Sequence, residues 1–210
     1  MKRNAPLYAG LALLSAFVLW TVLVYTIDIQ DIGPCGSSVG LATLNGAVHS
    51  LLGTNMTLYT ITDWLGLVPI FTALGFAVLG LIELIKRRSL VKVERSLLVL
   101  GIFYLIVIFV YLLFEGVAIN HRPVLIDGYL EVSYPSSTTL LVMTVMPAAA
   151  IEIGTRVKKT ATKHIINAAI TAFVAFMVIG RILSGVHWIS DVIGGALFST
   201  GLVLIYDRFK

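Results

Sequence analysis

Charged residues are scarce in this chain of 210 residues, and their scarcity is its most informative compositional feature. Only 12% of the residues are Asp, Glu, Lys or Arg, whereas 58% are hydrophobic, and the mean hydropathy is +0.97. Soluble domains usually carry about 25% charged residues. Half that amount cannot cover a water-exposed surface of this size, so the composition excludes a soluble globular protein and a disordered chain. It predicts a polytopic membrane protein.

Cysteine is nearly absent as well, and the single residue, Cys35, cannot form an internal disulfide. No cluster of Cys and His has the spacing of a metal site, so we expect neither a metal nor another cofactor. Lys and Arg outnumber Asp and Glu by 15 to 11. Because the basic residues do not form one patch, this excess does not indicate a nucleic-acid partner.

Long apolar segments define the expected fold, because crossing a hydrocarbon core of about 30 Å takes roughly 20 apolar residues in a helix. The first connection also contains an apolar stretch at 39–52 with helical spacing, which predicts a helix lying flat at the membrane interface. The predicted fold is therefore all-α, a polytopic membrane protein with six transmembrane helices plus this interfacial helix, in one domain over 1–210. The six predicted spans are about 7–27, 61–85, 96–114, 137–155, 164–183 and 188–206.

The distribution of Lys and Arg predicts the orientation of these spans. Thirteen of the fifteen basic residues lie in the termini and alternate connections that share one side of the membrane. Positive residues mark the cytoplasmic side, so we expect both termini inside and three connections outside. Only Arg122 and Arg181 fall on the outer side, where charge is costly and usually functional. The thirteen are Lys2, Arg3, Lys86, Arg87, Arg88, Lys92, Arg95, Arg156, Lys158, Lys159, Lys163, Arg208 and Lys210.

The last outer connection carries a candidate dyad. His187 and Asp191 are four residues apart at the expected start of the sixth span, so their side chains share a helix face. There the Asp carboxylate can accept a hydrogen bond from one imidazole nitrogen and leave the other free as a nucleophile. Arg181 precedes them across a short turn, and its planar guanidinium suits phosphate oxygens. The structural alternative is that Asp191 caps the helix and His187 is an interfacial histidine.

The middle outer connection carries further polar residues. Pro135 followed by hydroxyl residues directly before an apolar run predicts a helix start with capping side chains. The free N–H groups at 136–138 would form a second anion site, although ordinary capping explains the same residues equally well. Asp63, at the outer end of the second span, is expected either to support the site or to cap a helix.

Three short stretches resemble the signatures of the type-2 phosphatidic-acid phosphatase family, which comprises membrane lipid phosphatases with a haloperoxidase-like active site. Arg181, His187 and Asp191 match the spacing Arg-x5-His-x3-Asp of the third signature. Arg122-Pro123 resembles the end of the first signature, Lys-x6-Arg-Pro, and 135–138 resembles the second, Pro-Ser-Gly-His. The resemblance covers about 115–195, and the first two spans agree only in topology.

The resemblance implies a role for each matching residue and a membrane lipid phosphate as the substrate. His187 would attack phosphorus and form a phosphohistidine, while Asp191 holds its ring. The phosphate oxygens would be bound by Arg122, Arg181, Ser136, Ser137 and Thr138.

Three positions depart from the family pattern. Glu115 replaces the signature Lys, Gly180 replaces a Ser, and Thr138 replaces the His that protonates the leaving group. The possible proton donors in the same connection are His121, Glu131 and Tyr134.

The missing acid bears on the expected substrate. A threonine hydroxyl is a poor acid, and an alkoxide leaving group needs protonation far more than a phosphate leaving group. We therefore expect hydrolysis of lipid phosphates or diphosphates, such as a polyprenyl diphosphate, at the outer face of what is expected to be a bacterial plasma membrane. The alternatives are a non-catalytic protein that binds or transports lipid phosphates, and a lipid phosphotransferase.

Overall fold

The computed structural model describes residues 4–210, and within that range the regular structure is helical. Lys2 and Arg3, two of the basic residues used to predict the orientation, lie outside the described residues. Short 3₁₀ turns occur at Pro34–Gly36 and Leu90–Lys92. The α-helices are α1 (Ala5–Thr26), α2 (Ala42–Leu52), α3 (Met56–Leu65), α4 (Leu67–Arg87), α5 (Arg95–Val117), α6 (Ser137–Arg156), α7 (Thr160–Ser184) and α8 (Ile189–Phe209).

Six helical segments are long and apolar enough to cross a membrane, which confirms the six predicted spans. The second span begins earlier than expected, at Met56, and consists of two helices that meet at Gly66. The break has a covalent reason, because Pro69 has no N–H to donate to the carbonyl group four residues before it. The predicted interfacial segment also forms a helix, α2, which is too short to cross a bilayer.

Helices α6 and α8 form the centre of the bundle. In each of them more than half of the residues in the most apolar stretch are buried, against less than a quarter in each of the other spans. Phe17 of α1 packs against Phe198 of α8 and Phe114 of α5, with ring centroids 5.3 and 5.7 Å apart. The ring of Tyr134, which belongs to the connection that precedes α6, lies 5.6 Å from Phe114 and completes this aromatic cluster. The other spans keep large apolar side chains on the outside of the bundle, as a lipid-facing surface requires.

The two ends of the bundle differ in chemistry. One end, called here the basic end, carries the basic connections, and Arg156 there contacts both Glu94 and the fully buried Glu152. At the same end Glu83 accepts a hydrogen bond from the backbone N–H of Glu94 at 3.0 Å. The opposite end, called here the site end, carries α2, the connection between α5 and α6, and the turn between α7 and α8.

A small hairpin forms the connection between α5 and α6. The N–H of Arg122 donates to the Glu131 carbonyl at 3.0 Å, and the N–H of Ser133 donates to the Asn120 carbonyl at 2.8 Å. Its tip is a tight turn in which Asp127 and Gly128 both have positive φ, +48° and +83°. This antiparallel pairing holds the two arms of the hairpin together just before α6 begins.

Candidate active site

His187 lies in the turn between α7 and α8, which has a backbone that only glycine accommodates. Gly185 has φ +64°, and a Cβ there would lie 1.9 Å from the carbonyl oxygen of Gly53. The turn is also fixed by the N–H of Asn55, which donates to the Ser184 carbonyl at 2.9 Å. The His187 side chain is buried, and its Nε2 atom has no hydrogen-bond partner among residues 4–210.

Ser133 lies between the two residues of the predicted dyad, which corrects the expected direct contact. His187 Nδ1 is 3.8 Å from Asp191 Oδ2, too far for a hydrogen bond. The Ser133 hydroxyl is 3.0 Å from His187 Nδ1 and donates to Asp191 Oδ2. The direct contact fails because His187 precedes α8 instead of occupying its first turn, so the four-residue helical spacing does not apply. Ser133 had no signal in the sequence.

Asp191 has no exposed surface, and its carboxylate is held by donors from three parts of the chain. Besides Ser133, the backbone N–H of Trp188 donates at 3.0 Å, the Ser190 hydroxyl at 3.2 Å and the Asn120 amide at 3.4 Å. The contact with Trp188 is a helix cap, so Asp191 caps α8 and contacts the histidine network at the same time. These donors fix the carboxylate in one orientation.

A buried asparagine pair ties α2 and the hairpin to the start of α8. Asn45 accepts from the Ser190 N–H at 3.1 Å, and its amide donates to the Ser190 hydroxyl at 2.9 Å and to the Gly40 carbonyl at 2.8 Å. The Gly40 N–H in turn donates to Asn120 at 3.0 Å. Sequence reasoning missed both asparagines, although Asn45 was recognisable as an amide within an apolar helical run. Helix α2 therefore supports the site through hydrogen bonds as well as packing.

Arg181 is buried, with 1% of its surface exposed, near the end of α7. Its Nη2 atom donates to Asp63 Oδ1 at 2.8 Å and to the Thr138 hydroxyl oxygen. Its Nε and Nη1 atoms have no hydrogen-bond partner within the described range. Asp63 thus supports the site from α3, and the capping alternative is wrong because Asn55 caps that helix. Thr138 holds the arginine through its hydroxyl oxygen.

Arg122 is 8% exposed and lies on the hairpin, with its Nε atom 3.0 Å from Glu131 Oε2. This ion pair lacks hydrogen-bond alignment, and the buried Nε and Nη1 atoms have no hydrogen-bond partner in residues 4–210. Tyr59 of α3 joins the two cations, because its ring centroid is 5.7 Å from Arg122 Cζ and 4.9 Å from Arg181 Cζ. The bundle thus gathers two guanidinium groups with unused N–H donors around one aromatic ring, as an anion site requires.

The start of α6 offers fewer free N–H groups than expected. The Ser136 hydroxyl caps the helix by accepting from the Thr139 N–H at 3.5 Å, and the Ser136 N–H donates to the Asp191 carbonyl at 3.1 Å. Its backbone group is therefore occupied, contrary to the expected set of three free amides. The N–H groups of Ser137 and Thr138 have no intrahelical acceptor, as in any first turn. Ser137 also lines a small cavity with Glu115.

The three candidate proton donors differ in their surroundings. Tyr134 is buried, shares a 2.7 Å hydrogen bond with Thr21, and burial raises the pKa of its hydroxyl well above the ordinary value, which makes it a poor acid. Glu131 pairs with Arg122 at the surface of the hairpin. His121 is half-buried, and its carbonyl accepts from the Trp188 indole N–H at 2.7 Å. His121 and Glu131 remain the two candidates.

The surroundings of His187 keep its imidazole neutral. Burial, followed by the positive charge of Arg122, lowers the pKa of His187 to about 4, and Arg181 acts in the same direction. The negative charge of Asp191 opposes them and raises it. His49 of α2 and His187 line a small cavity together, and burial lowers the pKa of His49 too. An unprotonated imidazole at neutral pH is the form that can act as a nucleophile.

Metal-binding groups and cavities bear on what the site can hold. Among residues 4–210, no group of three or more His, Cys, Asp and Glu side chains is arranged to hold a metal ion. An apolar groove of about 890 Å³ runs along α6 and α7, and none of the predicted site residues lines it. The site itself is nearly closed, so a phosphate group can enter only if side chains at its rim move.

Known proteins share both the motif region and the fold. Residues 117–209 match the family model described as the PAP2 superfamily. The whole chain resembles the crystal structure of a transmembrane PAP2 type phosphatidylglycerolphosphate phosphatase from Bacillus subtilis, with a TM-score of 0.64 and 18% identity over 95% of this chain and 93% of that chain. No curated protein matches the chain in the sequence comparison. This integral membrane protein with six spans therefore has the fold of a PAP2 type phosphatase.

Proposed function

We propose that the chain is a metal-independent phosphatase of the PAP2 type, which hydrolyses lipid phosphates or diphosphates through a phosphohistidine. One observation carries the proposal: the free Nε2 atom of buried His187 lies in the same site as two buried arginines with unused N–H donors. Binding an anion needs the arginines alone. A neutral histidine held by a polar network beside them favours covalent chemistry.

The reaction has two steps. His187 Nε2 attacks phosphorus, the bond from phosphorus to the leaving oxygen breaks, and that oxygen departs with the bonding electron pair. Arg122 and Arg181 stabilise the charge on the remaining phosphoryl oxygens, and the N–H groups of Ser137 and Thr138 add backbone donors. Water then attacks phosphorus, and the bond to Nε2 breaks. Its electron pair returns to Nε2, and inorganic phosphate leaves with the protons of the water. In both steps protein groups supply the nucleophile and stabilise the phosphoryl charge, so we expect activity in the presence of a chelator.

Ser136 has a structural part in this proposal. Its hydroxyl caps α6 and its N–H contacts the Asp191 carbonyl, which aligns the first turn of α6 with the start of α8. The phosphate contacts predicted for this residue pass to its two neighbours.

The leaving group is proposed to be a phosphate instead of an alkoxide. Thr138 holds Arg181 and supplies no acid, which favours a diphosphate that expels a stable lipid monophosphate. The structural relative is a phosphatidylglycerolphosphate phosphatase and supports a lipid phosphate as substrate. Both classes therefore belong in the assay.

The proposed location is the extracytoplasmic face of a bacterial plasma membrane, with both termini in the cytoplasm. Eleven of the thirteen basic residues lie within the described range, and they support this orientation because they fall at the end of the bundle away from His187. Cysteine labelling in a Cys35→Ser background tests it, with Tyr129→Cys at the site end (74% exposed) and Val91→Cys at the basic end (92% exposed). An impermeant reagent outside the cell should label only the first position, and the reverse pattern contradicts the orientation.

The activity test measures phosphate release from polyprenyl diphosphate, phosphatidate and phosphatidylglycerol phosphate in the presence of EDTA. Wild-type protein should be active, and with a ³²P-labelled substrate it should carry an acid-labile label, the phosphohistidine. His187→Ala should lose both turnover and this label while still binding the lipid. Ser199→Ala controls for folding, because it removes a buried hydroxyl that donates to the Leu140 carbonyl of α6 and lies outside the site. Loss of activity in EDTA with rescue by Mg²⁺ contradicts the mechanism.

Two other functions remain as outcomes of the same assay. Normal turnover by His187→Ala would contradict the phosphohistidine mechanism. Binding without turnover by wild-type protein would identify a lipid-phosphate binding or transport protein. The contacts of Asp63 and Glu131 with the arginines favour this alternative, since they stabilise the site without substrate. Faster loss of the label on adding a lipid alcohol would identify a phosphotransferase.

A further inference from the structure

We propose that Ser133 is a positioning residue that transmits the charge of Asp191 to His187 and fixes the tautomer of the imidazole. The inference rests on the proposed function, because it assigns the nucleophile to Nε2 of His187. Its geometric basis is the position of one buried hydroxyl, 3.0 Å from His187 Nδ1 and hydrogen-bonded to Asp191.

The donors and acceptors determine where the protons lie. An ionised carboxylate only accepts hydrogen bonds, and Oδ2 of Asp191 also accepts from the Trp188 N–H at 3.0 Å. The Ser133 hydroxyl must therefore donate its single proton to Asp191, and its oxygen is left as an acceptor. His187 Nδ1 must then carry the proton and donate to that oxygen. The neutral ring consequently has its lone pair on Nε2, which has no hydrogen-bond partner in the described part of the chain.

The bridge also sets how charge moves during the reaction. When Nε2 bonds to phosphorus, the ring gains positive charge, and direct contact with Asp191 is excluded by the 3.8 Å separation. The Nδ1 proton can shift toward Ser133 Oγ as the serine proton shifts toward Asp191 Oδ2. Both protons return when the bond to phosphorus breaks, so the relay leaves no net change. Removal of the hydroxyl leaves Nδ1 without an acceptor at its present position.

A spectroscopic experiment tests the tautomer without depending on activity. The chain has four histidines, so ¹⁵N-histidine labelling in nanodiscs gives few signals, and His187→Ala assigns the one of interest. Wild-type protein at pH 7 should show His187 protonated at Nδ1. Ser133→Ala should lose this preference, Ser133→Thr should retain it, and Ser199→Ala should leave it unchanged. Protonation at Nε2 in wild-type protein, or an unchanged tautomer in Ser133→Ala, overturns the inference.

Kinetics test the relay itself with a double-mutant cycle. Ser133→Ala should lower kcat about tenfold to a hundredfold, the range for losing a hydrogen bond to a charged group, with KM nearly unchanged. Asp191→Asn should cost much less in the Ser133→Ala background than in wild-type protein, because its effect passes through the serine. Equal costs in both backgrounds contradict the relay. If wild-type protein cleaves no lipid phosphate, the proposed function fails, whereas the tautomer experiment still decides the role of Ser133.

Discussion

Thr138 allows a quantitative prediction about the leaving group. Its hydroxyl oxygen accepts from Arg181, and the phenol of Tyr134 is buried with a raised pKa, so both residues are poor general acids for an alkoxide leaving group. General acid catalysis is worth about 10²–10⁴-fold, or roughly 3–5 kcal/mol of barrier. A lipid diphosphate needs little of this help because it expels a phosphate monoester. We therefore expect kcat/KM for a diphosphate to exceed that for a monoester of the same chain by about a hundredfold or more.

The assay compares the two substrates in mixed micelles at equal surface concentration, with phosphate release measured in EDTA. Thr138→His should narrow the gap by raising monoester hydrolysis about tenfold to a hundredfold, since a protonated imidazole can donate the proton that the alkoxide needs. The protonated ring has no acceptor for Arg181, so the variant also loses the contact that the threonine hydroxyl makes. Thr138→Ser keeps the hydroxyl that holds Arg181 and should leave the ratio near its wild-type value. Thr138→Val loses the arginine contact without gaining an acid, so it separates the two effects.

Equal hydrolysis of both substrates by wild-type protein would refute this reasoning. Another side chain would then supply the proton, and His121→Gln and Glu131→Gln would identify it. The residue responsible should reduce kcat for the monoester far more than for the diphosphate when it is substituted.

Three further predictions concern other parts of the site. Because burial lowers the pKa of His187 to about 4, the acid limb of kcat/KM should lie well below the 6.5 of an ordinary histidine, and a limb near 6.5 set by the enzyme would contradict this burial. Glu131→Gln should lower KM several-fold, because the carboxylate competes with substrate phosphate for Arg122; a fall in kcat instead would assign Glu131 as the acid. Gly180→Ser should destabilise the protein in thermal unfolding by about 1–3 kcal/mol, since a Cβ there lies 2.7 Å from Thr62 Cγ2, and adding Thr62→Ser should restore stability if this contact is the cause.

The spans and the motif residues were accessible from the sequence because both are local patterns. Apolar runs of sufficient length predicted the six spans. They did not predict that the second span divides into two helices at Gly66. Arg181, His187 and Asp191 lie within eleven residues of one another. Their spacing placed them at one end of the bundle, although it suggested a direct contact that Ser133 replaces.

The supporting residues were not accessible because their partners are distant in the chain. Asp63 meets Arg181 across 118 residues, and Asn45 meets Ser190 across 145. Such contacts depend on how whole helices pack, which no local pattern encodes. Gly180 illustrates this. The motif comparison identifies it only as a replacement for a Ser, whereas in the structure its missing side chain lets α3 approach closely enough for Asp63 to reach the arginine.

The dependence of the α8 start on Asn45 has a consequence for biogenesis. A chain synthesised from its N-terminus inserts α2 long before α8, so the Asn45 amide emerges with neither of its Ser190 partners in place. The indole N–H of Trp20 in α1 likewise donates to the Ser190 carbonyl at 3.0 Å, a bond that cannot form before α8 is present. Helix α8 therefore completes hydrogen bonds whose other partners lie in α1 and α2, and these contacts can form only after α8 has been inserted.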